Sequence, residues 1–353
     1  IAPAGSYDFV VMTTRISLPR PQVRFLLTLV ALVAFPVLSF SQSTTTSNPN
    51  APPISPINPT MAGTITDNDK ESLYARFNDY KRNANPEQQR NAYPTAKEFL
   101  RLFGGENTAE VKEVRKWVTE YERQAHQREL FAAYNAKDYA KTFALARPMV
   151  KGDPEYFFGY AIMTEAGYDN SLAGKKDFDA DTAEYARQAI ALIDAGKVTR
   201  ADPFKSLDLA RSFLNYALAT MVKDQAPAEA AVAYGKALKT PDNPYSKDPI
   251  PFHRLGIAIY TGQLTPLTNE YNEKFGGKQS SAEQTAMMDR IMKLADQSID
   301  AYARAVALLD KPEQKDARAK ALGQLTTLYK AFHNGSDAGL NELIAGVLAK
   351  PMP

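Results

Sequence analysis

Few residues in this chain are of a type and spacing that could do chemistry. There are three histidines, His126, His253 and His333, and none has a second histidine at i+3 or i+4 with which to share a metal on one helix face. Cysteine is absent, which removes disulfides, thiolate metal sites, cysteine nucleophiles and a lipid-modified N-terminal cysteine together. Asp177, Asp179 and Asp181 form a DxDxD run with Glu184 nearby, and alternate carboxylates in a loop can present several oxygens to one Ca²⁺. Against calcium, Thr182 and Gln188 stand where a calcium loop needs glycine and glutamate, and Asp181 with Glu184 reads equally as a helix cap. The stretch Gly167–Lys176 has the lysine of a phosphate loop but six residues between its glycines instead of four, and Lys176 in place of Ser/Thr. Residues 275–281 lack the first glycine of such a loop. No Ser/His/acid arrangement and no HExxH can be picked out. The residues therefore predict no catalytic centre, no resident metal and no cofactor.

What could position such residues is helix almost throughout. From Asp67 onward apolar residues recur at helical spacing, and no alternating strand is convincing. Residues 70–82 place Leu73, Phe77 and Tyr80 on one stripe. Pro94 can open a helix through Phe103. Residues 108–121 carry Val111, Val114, Trp117, Val118 and Tyr121 on one face, so the only tryptophan is assigned to packing. A last helix has an apolar stripe of Leu340, Leu343, Ile344, Val347 and Leu348. Its other face is small and weakly charged, so it either caps the chain or meets a neighbouring subunit.

The first 41 residues read as a leader. Met12 is a plausible start, Arg15, Arg20 and Arg24 form a basic stretch, and residues 25–40 form an apolar one. Ser39 and Ser41 then occupy the −3 and −1 positions of a cleavage site before Gln42. Sixteen apolar residues reach about 24 Å as a helix, short of a ~30 Å hydrocarbon core, so the run suits a removed signal better than an anchor. Either outcome places the rest of the chain outside the cytoplasm, in the periplasm or at the cell surface, with membrane contact only through an uncleaved leader. Residues 42–67 are rich in Ser, Thr, Pro and Asn and read as a linker, leaving 68–353 as the helical domain. The whole chain carries a formal charge of +2, and Arg15, Arg20 and Arg24 against Asp8 account for all of it. A neutral body gives little electrostatic reason to bind nucleic acid.

Residues 137–154 (KDYAKTFALARPMVKGDP) resemble the second helix of a tetratricopeptide repeat, with Tyr139 in the turn and Pro154 fifteen residues later. Phe252, Leu255 and Gly256 resemble the opening of that family's first helix, with Tyr260 one place late, and Gly256 would let a partner helix approach closely. The pattern departs at Thr142, where the family prefers alanine, and at Pro148, which implies a kink or early break. Segments like the family's second helix recur at 181–197, 226–239 and 295–309. Taking Val150, Ile190, Leu238 and Val306 as equivalent gives uneven steps of 40, 48 and 68 residues, the last requiring an extra helix pair from residues 252–275.

The resemblance implies an all-α solenoid of stacked antiparallel helix pairs, with a concave groove that holds a peptide or partner protein. In that register the groove candidates are Tyr160, Thr164, Asn215, Tyr216, His253 and Arg254. The leading functional expectation is a non-catalytic interaction scaffold of the bacterial cell envelope. A structural subunit assembling into a surface fibre, through the C-terminal helix, stands as the alternative, and a helical-toroid enzyme acting on carbohydrates is a third.

Overall fold

The computed structural model describes residues 67–241, 243–276 and 281–353, together with the backbone of residues 13–17 and 24–28. Those two short segments, β1 (Thr13–Ser17) and β2 (Arg24–Thr28), pair antiparallel, Thr13 opposite Thr28 and Ser17 opposite Arg24. The cleavage site expected at Ser39 and Ser41 and the linker at 42–66 lie outside the described residues. Among the described residues from Asp67 onward every regular element is helical. No described helix is long and apolar enough to cross a membrane.

The helical region divides into two compact units. The first holds α1 (Asp67–Arg82), the one-turn α2 (Pro86–Gln89), α3 (Ala92–Phe103) and α4 (Ala109–Asn135). Its core is Phe77, Ala92, Ala96, Phe99, Phe103, Val111, Val114 and Val118, with Leu73, Tyr80 and Trp117 packed against it. Trp117 is a packing residue: Phe77 meets it edge-on at 5.1 Å and Tyr121 stacks at 5.1 Å. Helix α4 runs well past Tyr121, where the sequence stripe fades. Neither glycine nor proline interrupts residues 109–135, so nothing stops it before the Lys137 turn (φ 57°).

The second unit begins with α5 (Tyr139–Gly152), α6 (Phe157–Leu172), α7 (Asp179–Asp194), α8 (Leu207–Val222) and α9 (Pro227–Lys239). Each of these packs on the next in sequence. Local chemistry sets several starts: Asp138 accepts from the Lys141 amide at 3.0 Å, and Ser206 accepts from the Leu209 amide at 3.1 Å. Helix α5 is not broken at Pro148 but continues to Gly152. Helices α6 and α8 are buried nearly all round, which suits helices flanked on both sides.

The unit continues with α10 (Pro249–Ile259), α11 (Thr265–Phe275), α12 (Ala282–Leu308), α13 (Lys315–Phe332) and α14 (Leu340–Gly346). Here residues 252–275 do not form the expected extra helix pair. A single π turn, Tyr260–Leu264, joins α10 directly to α11, with the Thr265 amide bonded back to Tyr260 O. Pro266 explains the widening, because a proline lacks the amide proton and crowds the carbonyl four residues earlier, here that of Gly262. Helix α10 packs instead on α9 and on α12, as the sequence reading of Gly256 required. A side chain at Gly256 would lie 3.0 Å from the Tyr302 ring, and Ser298 Oγ donates to Gly256 O at 2.9 Å.

The C-terminal stripe is used within the chain. Leu340, Ile344 and Val347 are buried in the core that α12 and α13 share, while Leu348 is 46% exposed. Arg304 of α12 then fixes the residues that follow, donating to Lys350 O at 2.9 Å and Pro351 O at 3.0 Å.

Candidate functional site

Alternate helices of the second unit, α6, α8 and α10, bring together a group of tyrosines around one arginine. Arg254 on α10 donates through Nη1 to the Tyr216 hydroxyl on α8 at 3.0 Å and, more weakly, to Thr220 Oγ1 at 3.5 Å. Its guanidinium carbon also lies 6.0 Å from the Tyr216 ring centre. Tyr245, from the loop between α9 and α10, stacks on Tyr216 at 4.2 Å. Tyr168 on α6 meets Tyr216 edge-on at 6.0 Å. Tyr234 on α9 closes the far side, 5.7 Å from Tyr216. Tyr245 is held by Asn243, whose side chain donates to Leu238 O and Thr240 O, both at 2.9 Å, and accepts from the Tyr245 amide at 3.0 Å.

The electrostatics are unusual for a charged group. Burial works against the charge on Arg254, yet the phenols of Tyr216, Tyr234 and Tyr168 more than offset it and its pKa lies above the ordinary value. Burial likewise raises Tyr168, Tyr216 and Tyr245, and raises Tyr234 to about 12. His253, next to Arg254, has its pKa lowered, by burial first and by Arg254 as well, while Gln324 of α13, 2.6 Å away, partly opposes this. It is therefore neutral at neutral pH. Glu165 on α6 acts electrostatically on Tyr245, and burial together with the nearby Asp169 pushes its own carboxyl up to about 8. Glu165, Tyr168, Tyr245, His253 and Arg254 all keep partial solvent contact, so the site is recessed rather than sealed.

The raised Glu165 carboxyl makes stability depend on pH. Unfolded, it ionises near 4.5, and folded near 8, so the unfolded chain sheds this proton first and the fold loses stability as pH climbs between those values. Below the window both states are protonated and above it both are ionised. Glu165→Gln should therefore match the parent at about pH 4 and exceed it by about 2 kcal/mol or more at about pH 9, read from denaturant unfolding at the two pH values. An equal gain at both pH values would show that Glu165 ionises normally.

Of the residues singled out from sequence, Tyr216 and Arg254 come together and His253 borders them. Tyr160 is a buried ring 5.9 Å from Tyr185, and Thr164 is fully buried with its hydroxyl on Tyr160 O. Asn215 lies away from Tyr216, its amide bonded to Arg211 O at 2.8 Å, because successive helix positions point in different directions. It lines instead an open cleft of about 570 Å³ between α8, α9, α10 and α12, where Arg211 is already paired with Asp194 and Asp208. The arginine of that cleft is paired with carboxylates, whereas Arg254 donates to hydroxyl oxygens.

The aspartate run does not converge. Helix α7 starts at Asp179, two residues before the cap expected at Asp181, and Asp181 turns to form an ion pair with Arg147 of α5. Among the described residues no group of three or more His, Asp or Glu is placed to hold a metal ion.

Glu165, Tyr168, Tyr234 and Tyr245 were not legible as site residues. One signal was present: from Phe157 to Gly167 the chain is apolar except for Thr164 and Glu165, and an acid in so apolar a helix needs a reason. No family model matches the chain, and comparison with curated proteins and with solved structures finds no match either.

Proposed function

We propose that this chain is a non-catalytic interaction scaffold of the bacterial cell envelope, a tetratricopeptide-like solenoid that holds a peptide or protein segment along α6, α8 and α10. The observation that supports it is a partly exposed, aromatic and polar row, Glu165 and Tyr168 on α6, Tyr245 on the loop before α10, and His253 and Arg254 on α10, with the buried Tyr216 of α8 packed against it. Rigid tyrosines supply contact area at low entropic cost, and their hydroxyls can bond a passing backbone. A chemical centre would need a nucleophile or acid–base pair at hydrogen-bond distance. This row has tyrosines kept protonated, a neutral histidine, an arginine and the Glu165 carboxyl, and among the described residues no hydrogen bond joins that carboxyl to the others. Placement outside the cytoplasm rests on the leader-like residues 12–41.

The test is selection of displayed random peptides on the purified full chain, followed by affinity measurement with the synthetic sequences. Tyr245→Ala should weaken binding of the selected peptides by at least about tenfold, since a truncated aromatic anchor typically costs 2 kcal/mol or more. Selected peptides that bind the variant as well as the parent would show that they do not use this row.

A further inference from the structure

We infer that the open cleft between α8, α9, α10 and α12 is a second docking site, independent of the tyrosine row, that takes an extended acidic segment of a partner polypeptide. The cleft holds about 570 Å³, within the size range of ligand clefts. One wall of it is a single stripe of α9: Val232, Gly235, Lys236 and Lys239, at i, i+3, i+4 and i+7. The exposed side chains of α9 are Glu229, which pairs with Arg187, and three of this stripe, Val232, Lys236 and Lys239. The stripe is therefore the face of α9 that no other described element covers.

Gly235 marks where a backbone comes close. A glycine inside a helix is destabilising relative to alanine. At Gly256 the Tyr302 ring takes the place of the missing side chain, but a Cβ at Gly235 would meet nothing within 4 Å. The space in front of Gly235 is thus left open to a chain crossing α9. Val232, 52% exposed one turn earlier, offers that chain an apolar contact.

Charge selects an acidic residue. The carboxylates of the cleft are engaged, Asp194 and Asp208 with Arg211 and Asp300 with Arg304. The ammonium groups of Lys236 and Lys239 have no ion pair with any described residue, and at i and i+3 they can meet the same carboxylate. Two further groups suit a main chain. Asn215, only 2% exposed, donates through Nδ2 to Arg211 O at 2.8 Å, while its Oδ1 receives no hydrogen bond. The side-chain amide of Gln297 on α12, partly buried, has no partner among the described residues. Together they offer a donor and an acceptor, which is what a peptide unit requires.

The chain itself shows that polypeptide fits here. Lys350 is extended (φ −103°, ψ 148°), and Met352 and Pro353 line one end of the cleft. Arg304 holds the carbonyl oxygens of Lys350 and Pro351 at 2.9 and 3.0 Å. A side chain of α12 thus already binds main-chain carbonyls beside the cleft, and a partner segment along α9 would be held in the same way, with Lys236 and Lys239 choosing its side chains.

The experiment selects displayed random peptides on the full chain, remakes them with acetylated and amidated ends, and measures each against Gly235→Leu and Tyr245→Ala. Leucine is a better helix former than glycine and its Cβ has room, so Gly235→Leu should keep or raise the denaturant midpoint while filling the cleft. One class of peptides should bind Gly235→Leu at least about tenfold more weakly than the parent, and bind Tyr245→Ala as the parent does. Peptides of that class should carry Asp or Glu, and replacing the acid with its amide should weaken binding about threefold. The double variant Lys236→Gln, Lys239→Gln should give a similar loss that does not add to it. Both lysines are exposed, so this variant tests the inference even if Gly235→Leu fails to fold. Selected peptides that all bind Gly235→Leu as tightly as the parent overturn the docking site, while any that Tyr245→Ala weakens leave the tyrosine row standing. Cleft-binding peptides that lose nothing with their acids overturn the acidic partner. A selection that yields no binder overturns both this site and the row.

Discussion

Replacing Gly262 with alanine is expected to destabilise the second unit by about 3 kcal/mol, among the largest effects any single methyl group could have in this chain. Gly262 sits in the π turn between α10 and α11, against the first turn of α9. A methyl there would lie 2.3 Å from Ala228 N, 2.4 Å from the Pro227 carbonyl carbon and 2.8 Å from Ala228 Cα. These are backbone atoms, so no rotamer change relieves the contact and either α9 or the turn must move. Gly323 on α13 is the matched control: it is exposed, and a methyl there meets nothing within 4 Å. Gly323→Ala should stabilise by about 0.5–1 kcal/mol, because alanine loses less entropy on entering a helix. Denaturant midpoints of the two variants should therefore move in opposite directions. A neutral Gly262→Ala would mean that α9 does not rest on the turn.

Arg304→Ala should cost about 3–4 kcal/mol, through charge rather than volume. The Arg304 side chain is 7% exposed and its ion-pair partner Asp300 is 18% exposed, with Nε 2.6 Å from Asp300 Oδ2. The same guanidinium caps Lys350 O and Pro351 O. Removing it leaves one shielded carboxylate and two carbonyls without their donor. Replacing both partners, Asp300→Asn with Arg304→Met, should recover part of the loss, since the unpaired charge goes too. Hydrogen exchange gives the structural readout: the Lys350 amide, bonded to Val347 O at 3.2 Å, should exchange faster in Arg304→Ala. A variant as stable as the parent, with unchanged exchange, would show that the pair contributes nothing net.

Helical class was legible because burying one face at 3.6-residue spacing leaves a mark in the sequence. Val111, Val114 and Val118 carry that mark, and all three are core. Where helices end was harder to read. Helix α4 outruns its stripe because Gly and Pro are missing from residues 109–135. At Gly262 and Pro266 the same two residue types look like a break, yet the chain widens to a π turn and continues. The difference lies in α9: only a residue without a side chain can sit on its first turn, and the sequence of 260–266 carries no trace of that neighbour.

The site shows the same division. Register placed Tyr216 and Arg254 on inner helices, and they meet although 38 residues apart. It could not separate Tyr216 from Asn215, one position away and committed to a different cleft. Tyr245 had no periodicity to betray it, since it belongs to a loop whose shape depends on Asn243. The amino acids alone determined a helical body free of thiol chemistry and formally neutral, because these follow from composition and local spacing. Which tyrosines surround Arg254 was decided only by the stacking of α6, α8 and α10. Distances between residues far apart in the chain are set by packing, which no local pattern records.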